Sequence, residues 1–190
     1  MNRLFIILLL SVFALSDVYG QRDTIWFNSN WLVTEKSNAS FYRMSPELIK
    51  NGYLFKDYYK SGALQMKGVS LSATEEVYHG TMLWYFENGN VFQVVNYNKG
   101  ALDGKRTVYF NNGSVKNNRF YDNGTINGPW ESYYMNGMIK ERGHYSMGEK
   151  HGIWTYYNQE GEMTERGEFS VGDKSGVWSK FHPELENEIE

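Results

Sequence analysis

From residue 53 onward the chain alternates short runs of aromatic and β-branched residues with polar turns centred on glycine, and the alternation has a fixed period. Gly80, Gly104, Gly128, Gly152 and Gly176 stand 24 residues apart, and so do the rows that begin at Gly89 and Gly100. Aromatic positions keep the same phase: Tyr85, Tyr109, Tyr133, Tyr157 and Phe181 form one row, and Tyr97, Tyr121, Tyr145 and Phe169 another. A period of this length marks an array of small supersecondary units that bury surface only by stacking on each other. Within one unit, residues 82–87 and 91–97 read as strands around Asn88-Gly89. Asn-Gly recurs at 112–113 and 136–137, with Glu160-Gly161 in the same place. Asn-Gly is the strongest short hairpin signal, because a two-residue turn of that kind needs positive φ at both positions. The sequence therefore predicts an all-β fold, an elongated, twisted antiparallel sheet of consecutive 24-residue β-hairpins.

Period-two counting assigns the faces. It sets Tyr85 and its equivalents opposite Met82, Arg106, Trp130, Trp154 and Trp178. In the following strand it sets Val91, Val115, Ile139 and Met163 on one face with Tyr97, Tyr121, Tyr145 and Phe169, while Lys116, Lys140 and Arg142 point the other way. The expected core is the ladder containing Tyr85 and Tyr133. Opposite it, Trp84, Phe86, Trp130, Trp154, Tyr156 and Trp178 form an aromatic stripe, open to two readings: core, or a candidate binding face for a sugar, a peptide or a partner's apolar side chains.

Upstream, the chain from Tyr53 onward reads as a divergent first repeat, with three residues inserted before Gly80, near Ser72-Ala73-Thr74. Residues 21–52 leave the period and read as an N-terminal capping segment for the open end of the array. Within it, Ser45-Pro46-Glu47 suggests a short helical turn. The expected organisation is a signal peptide at 1–20, the cap at 21–52, the repeat array at 53–182 and an acidic tail at 183–190. The signal reading rests on an apolar run at 4–15 after Asn2-Arg3, followed by Val18-Tyr19-Gly20. That run is too short to span a membrane as a helix, so the chain is expected to be exported, to the periplasm or beyond the cell.

Composition narrows the chemistry. The formal charge of −3 argues against a nucleic-acid partner and leaves anionic-lipid binding weakly supported. With no cysteine, an exported chain must hold together by packing alone. His79 and His151 share a turn position, and His144 and His182 lie elsewhere in the unit, so the histidines form no metal cluster. Gly100-Ala101-Leu102-Asp103-Gly104-Lys105 has one residue too few between its glycines for a phosphate loop, and Asp122-Asn123-Gly124 places Gly124 where a calcium ligand would stand. Glu141 and Glu165 occupy equivalent places one repeat apart and read as solvated surface. No catalytic set, metal or cofactor is expected.

The run Gly148-Glu149-Lys150-His151-Gly152-Ile153-Trp154-Thr155-Tyr156-Tyr157 resembles the core of a MORN repeat. Gly172-Asp173-Lys174-Ser175-Gly176-Val177-Trp178 and Tyr133-Tyr134-Met135-Asn136-Gly137 are similar to the variant MORN repeat of YwqK-type proteins. Trp130, Trp154 and Trp178 stand where the commoner pattern has a second glycine, and the resemblance covers about residues 53–182. It implies the hairpin sheet already read from the period. The expected function is an exported, non-enzymatic scaffold or binding module for a protein or an envelope glycan. The alternatives implied by the resemblance are a peripheral membrane role or an antitoxin-like inhibitor.

Overall fold

The computed structural model describes residues 24–181. The expected signal peptide and acidic tail lie outside the described residues. The strands of the described chain form one 14-stranded antiparallel sheet. It begins with β1 (Thr24–Phe27), β2 (Phe41–Met44), β3 (Glu47–Ile49), β4 (Gly52–Tyr59) and β5 (Leu64–Ser70). The regular array follows as β6 (Tyr78–Tyr85), β7 (Val91–Asn98), β8 (Ala101–Tyr109), β9 (Val115–Asp122) and β10 (Thr125–Tyr133). It closes with β11 (Ile139–Ser146), β12 (Glu149–Tyr157), β13 (Met163–Ser170) and β14 (Asp173–Lys180). From β4 onward each strand pairs with its neighbours in sequence, while β2 and β3 both pair with β4. The segment expected to cap the array thus extends the same sheet. Glu47–Ile49 is β3, not a helical turn: pairing with β4 satisfies backbone groups that one isolated turn would leave open.

Two kinds of turn alternate, and they differ from the sequence expectation in a way that sets the faces. At Asn88-Gly89 only the glycine has positive φ (87°). The Gly89 N–H donates to the Phe86 carbonyl (2.9 Å) and the Phe86 N–H to the Asn90 carbonyl (2.8 Å), closing a three-residue loop. The two-residue turns with positive φ at both positions lie at the other end of the strands, at Lys99-Gly100, Asn123-Gly124, Met147-Gly148 and Val171-Gly172. Beyond each three-residue loop the register slips: Tyr85 faces Val91 but Trp84 faces Gln93, leaving Phe92 as a bulge. The same slip recurs at Lys116, Lys140 and Thr164.

The bulge inverts half of the predicted face assignment. Val91, Val115, Ile139 and Met163 do share a face with Tyr85, Tyr109, Tyr133 and Tyr157, each opposite its partner. The Tyr97 row, beyond the bulge, joins the Met82–Trp154 row on the other face, since Gly80 pairs with Tyr97 and Gly128 with Tyr145. That second face is the packed one. It carries Phe55, Met66, Met82, Val95, Trp154 and Phe169, all buried, whereas Tyr133 is half-buried and its hydroxyl donates to Glu131 (2.8 Å). Trp154 is 0 % exposed. It lies over Gly143, where a Cβ would come within 2.3 Å of the indole. Trp178 covers Gly167 and Met82 covers Gly68 in the same manner.

Burying an indole of ~200 Å² stabilises by roughly 5 kcal/mol before entropy is subtracted. Trp154→Ala should therefore cost about 3–5 kcal/mol in urea unfolding, and Tyr133→Ala clearly less. Equal losses would refute the face assignment. Val171, β-branched, has φ of 50° and is 72 % exposed. Holding such a residue in the left-handed region costs roughly 1–2 kcal/mol, so Val171→Asn, the residue at the equivalent Asn123, should raise stability by about 1 kcal/mol in the same assay.

Candidate functional site

The aromatic stripe is divided along the sheet. Trp130, Trp154, Tyr156 and Trp178 form one continuous cluster across β10 to β14. The rings of Tyr145 and Phe169 sit edge-on between the indoles: Trp130 to Tyr145 5.8 Å, Tyr145 to Trp154 5.3 Å, Trp154 to Phe169 5.8 Å, Phe169 to Trp178 5.1 Å. Trp84 belongs to a separate cluster near the N-terminal end with Tyr78, Tyr97, Met82 and Phe55. Phe86 lies at a hairpin tip against Phe92 (5.1 Å). Between the clusters Arg106 takes the tryptophan position, opposite Arg119.

The indoles are occupied on their faces by the chain's own cations. The Lys150 ammonium lies 3.8 Å from the Trp154 ring centroid, Lys174 lies 3.7 Å from that of Trp178, and the Arg119 guanidinium 4.7 Å from that of Trp130. Cations over an indole face are attracted by the ring quadrupole, most strongly where water is excluded. With glycine beneath and lysine above, Trp154 is a packing element. Trp130 is also tied at its edge, where Nε1–H donates to Glu141 (2.9 Å). Glu141, Tyr156 and Glu165 are successive cross-strand partners on this face. The two glutamates read from sequence as solvated are half-buried and engaged, Glu165 by Lys174 (2.8 Å). Between them burial, and then the two carboxylates, push the Tyr156 hydroxyl up to about 12. Burial likewise lowers Lys150, partly offset by Glu141.

The opposite face holds the feature that sequence reasoning did not single out. A groove of about 430 Å³ runs across β10 to β13, lined among others by Arg142, His144, Ile153, Tyr157, Met163 and Arg166. Its floor is a straight row: Glu131 opposes Arg142, Arg142 opposes Thr155, and Thr155 opposes Arg166. Thr155 is buried, the two arginines are exposed, and Ile153 is 50 % exposed. Arg142 also lies near the Tyr157 ring, 5.7 Å from its centroid. His144 and His151 are direct cross-strand partners here, a pairing that the repeat spacing did not predict. The sequence signal was available in part, since Arg142 and Arg166 are 24 residues apart; the register that places Thr155 between them depends on the bulges.

Among the described residues no group of three or more His, Cys, Asp or Glu side chains is placed to hold a metal. Also among the described residues, no helix is long and apolar enough to cross a membrane. Residues 78–99, 102–123 and 126–147 match the MORN repeat variant family, which identifies residues 78–147 as a MORN-repeat region. A search of curated proteins finds no matching relative. The geometry continues beyond the matched residues: Trp154 opposes Gly167 as Trp130 opposes Gly143. The repeat match and the all-β sheet support a non-catalytic repeat scaffold or binding module.

The Tyr156 environment gives a pH signature. The folded chain keeps a proton on this hydroxyl between the ordinary value of 10.0 and about 12, where the unfolded chain loses it, so stability falls as pH rises through that window. Unfolding of Tyr156→Phe should depend less steeply on pH between 10 and 12 than that of the parent. Identical slopes would mean that the hydroxyl titrates normally.

Proposed function

We propose that this protein is an exported, non-enzymatic scaffold that docks a partner protein in the groove of its last two repeats. The observation that carries this reading is the contrast between the two faces. One face spends its large side chains on its own packing, with Lys150 and Lys174 over the indoles that a sugar ring would need to stack on. The other face leaves Ile153, Tyr157 and Met163 accessible in a groove beside two exposed arginines. Apolar surface rimmed by polar groups on a rigid sheet is characteristic of protein docking sites. A hydrogen-bonded sheet braced on its far face also presents such a surface with little ordering cost on binding. Export rests on the first twenty residues, and places the partner in the periplasm or outside the cell.

A photo-activatable residue at position 153, in the full-length protein expressed in its source cells, tests the reading. The mature chain should begin at Gln21, and cross-linking should yield one defined partner whose purified form binds the parent and not Ile153→Asp. The same probe at position 93, on the packed face, should give no such adduct. Equal adducts from both positions, or a protein retained in the cytoplasm, would overturn the proposal.

A further inference from the structure

On the reading of the groove as a protein-docking site, we infer that its occupant is an extended acidic segment of the partner, held by carboxylates that pair with Arg142 and Arg166. Among the described residues neither guanidinium takes part in an ion pair; the pairs formed there use Arg43 and Lys174. The nearest acidic neighbour in the row, Glu131, already accepts from the Tyr133 hydroxyl (2.8 Å) and the Asn118 amide (3.5 Å). Glu168 lies opposite Ile153, in a different row from the arginines.

The spacing suits a peptide. Arg142 and Arg166 flank Thr155 on successive strands, so their backbones are about 10 Å apart at ~4.8 Å per strand. An extended chain advances ~3.3 Å per residue, which brings carboxylates two or three residues apart within reach of both forks. Guanidinium groups take carboxylates bidentately, and the pairing is strongest beside apolar walls that limit water. Here Ile153, Met163 and Tyr157 supply the walls and match apolar side chains interleaved with the acids. Two cations on a chain of net charge −3 are too few for nucleic acid, whose binding rests on neutralising many phosphates.

The test is fluorescence anisotropy with the full chain and three labelled heptapeptides: one alternating Glu and Leu, one with Gln for Glu, and one with Lys for Glu. The acidic peptide should bind, weaken as salt rises, and lose about tenfold or more in affinity with the Arg142→Gln/Arg166→Gln pair. Lys116→Gln/Lys140→Gln, on the hairpin edge, should leave binding unchanged, and circular dichroism should show every variant folded. Equal binding of the Glu and Gln peptides, sensitive to Ile153→Asp and indifferent to the arginines, would overturn the acidic chemistry while leaving a docking groove. Failure of all three peptides alongside a confirmed partner at position 153 would also overturn the acidic segment and leave the proposed function standing. Acidic-peptide binding that arises only when residues 182–190 are deleted would make the chain's own glutamate-rich end the occupant, against a partner in trans.

Discussion

The contact on which this sheet depends is a large side chain lying over a glycine of the preceding strand. A single-layer sheet has no second layer to pack against, so each rung must find its apolar contacts on its neighbours. An indole laid flat across the backbone of the adjacent strand meets this need, because a side chain there would collide with it: a Cβ on Gly167 would come within 2.2 Å of Trp178. Where the glycine is replaced, the contact between the rungs changes. Arg119 stands opposite Trp130 and stacks on it, and Val95 stands opposite Arg106. The period of 24 residues is thus kept by backbone turns, while the contact between rungs is renegotiated from repeat to repeat.

At the N-terminal end the same face is closed differently. Arg43 is bound in a two-pronged contact by Asp57, which is 1 % exposed, and is reached by Glu76 from the loop inserted after β5 (2.8 Å). The guanidinium lies over the Phe55 ring (4.8 Å). A buried ion pair adds little net stability over an apolar pair of the same shape, but losing one partner strands a charge. The inserted residues thereby acquire a packing role: Ser70, fully buried, accepts from the Val77 and Ser72 amides and holds the loop over the pair.

The period, the all-β class, the hairpin succession and the place of the insertion were legible because glycine and aromatic rows repeat in strict phase. The faces were legible only up to the bulge. Phe92, Lys116, Lys140 and Thr164 share no chemistry that would mark an extra residue, so alternation counted through them carried the Tyr97 row to the wrong side. Turn type was misplaced for a related reason. Asn-Gly signals positive φ, yet the doubly left-handed turns hold Lys99, Met147 and Val171, which sequence gives no cause to expect there. Of the stripe residues, the contiguity of Trp130, Trp154, Tyr156 and Trp178 followed from spacing. Their lysine cover comes from the same strand, Lys150 four residues before Trp154 and Lys174 four before Trp178, a spacing present in the sequence but not singled out there. Only the cover of Trp130 by Arg119 depends on cross-strand register.

Division of labour between the faces follows from this packing. Once tryptophans lie over glycines and the chain's own lysines lie over the tryptophans, that face has little left for another molecule, and what remains for recognition falls on its reverse. There the row through Thr107, Asn118, Glu131, Arg142, Thr155 and Arg166 shifts from a hydrogen-bonded polar ladder to exposed arginines along the array. The change coincides with apolar residues at the position that Thr81, Lys105 and Pro129 hold in earlier repeats: Ile153, 50 % exposed, and Val177 on the edge strand β14. A repeat array built for uniform stacking has no need of such a gradient. Its concentration in the last repeats, on a face that the packing leaves free, is the physical reason to seek the protein's partner there.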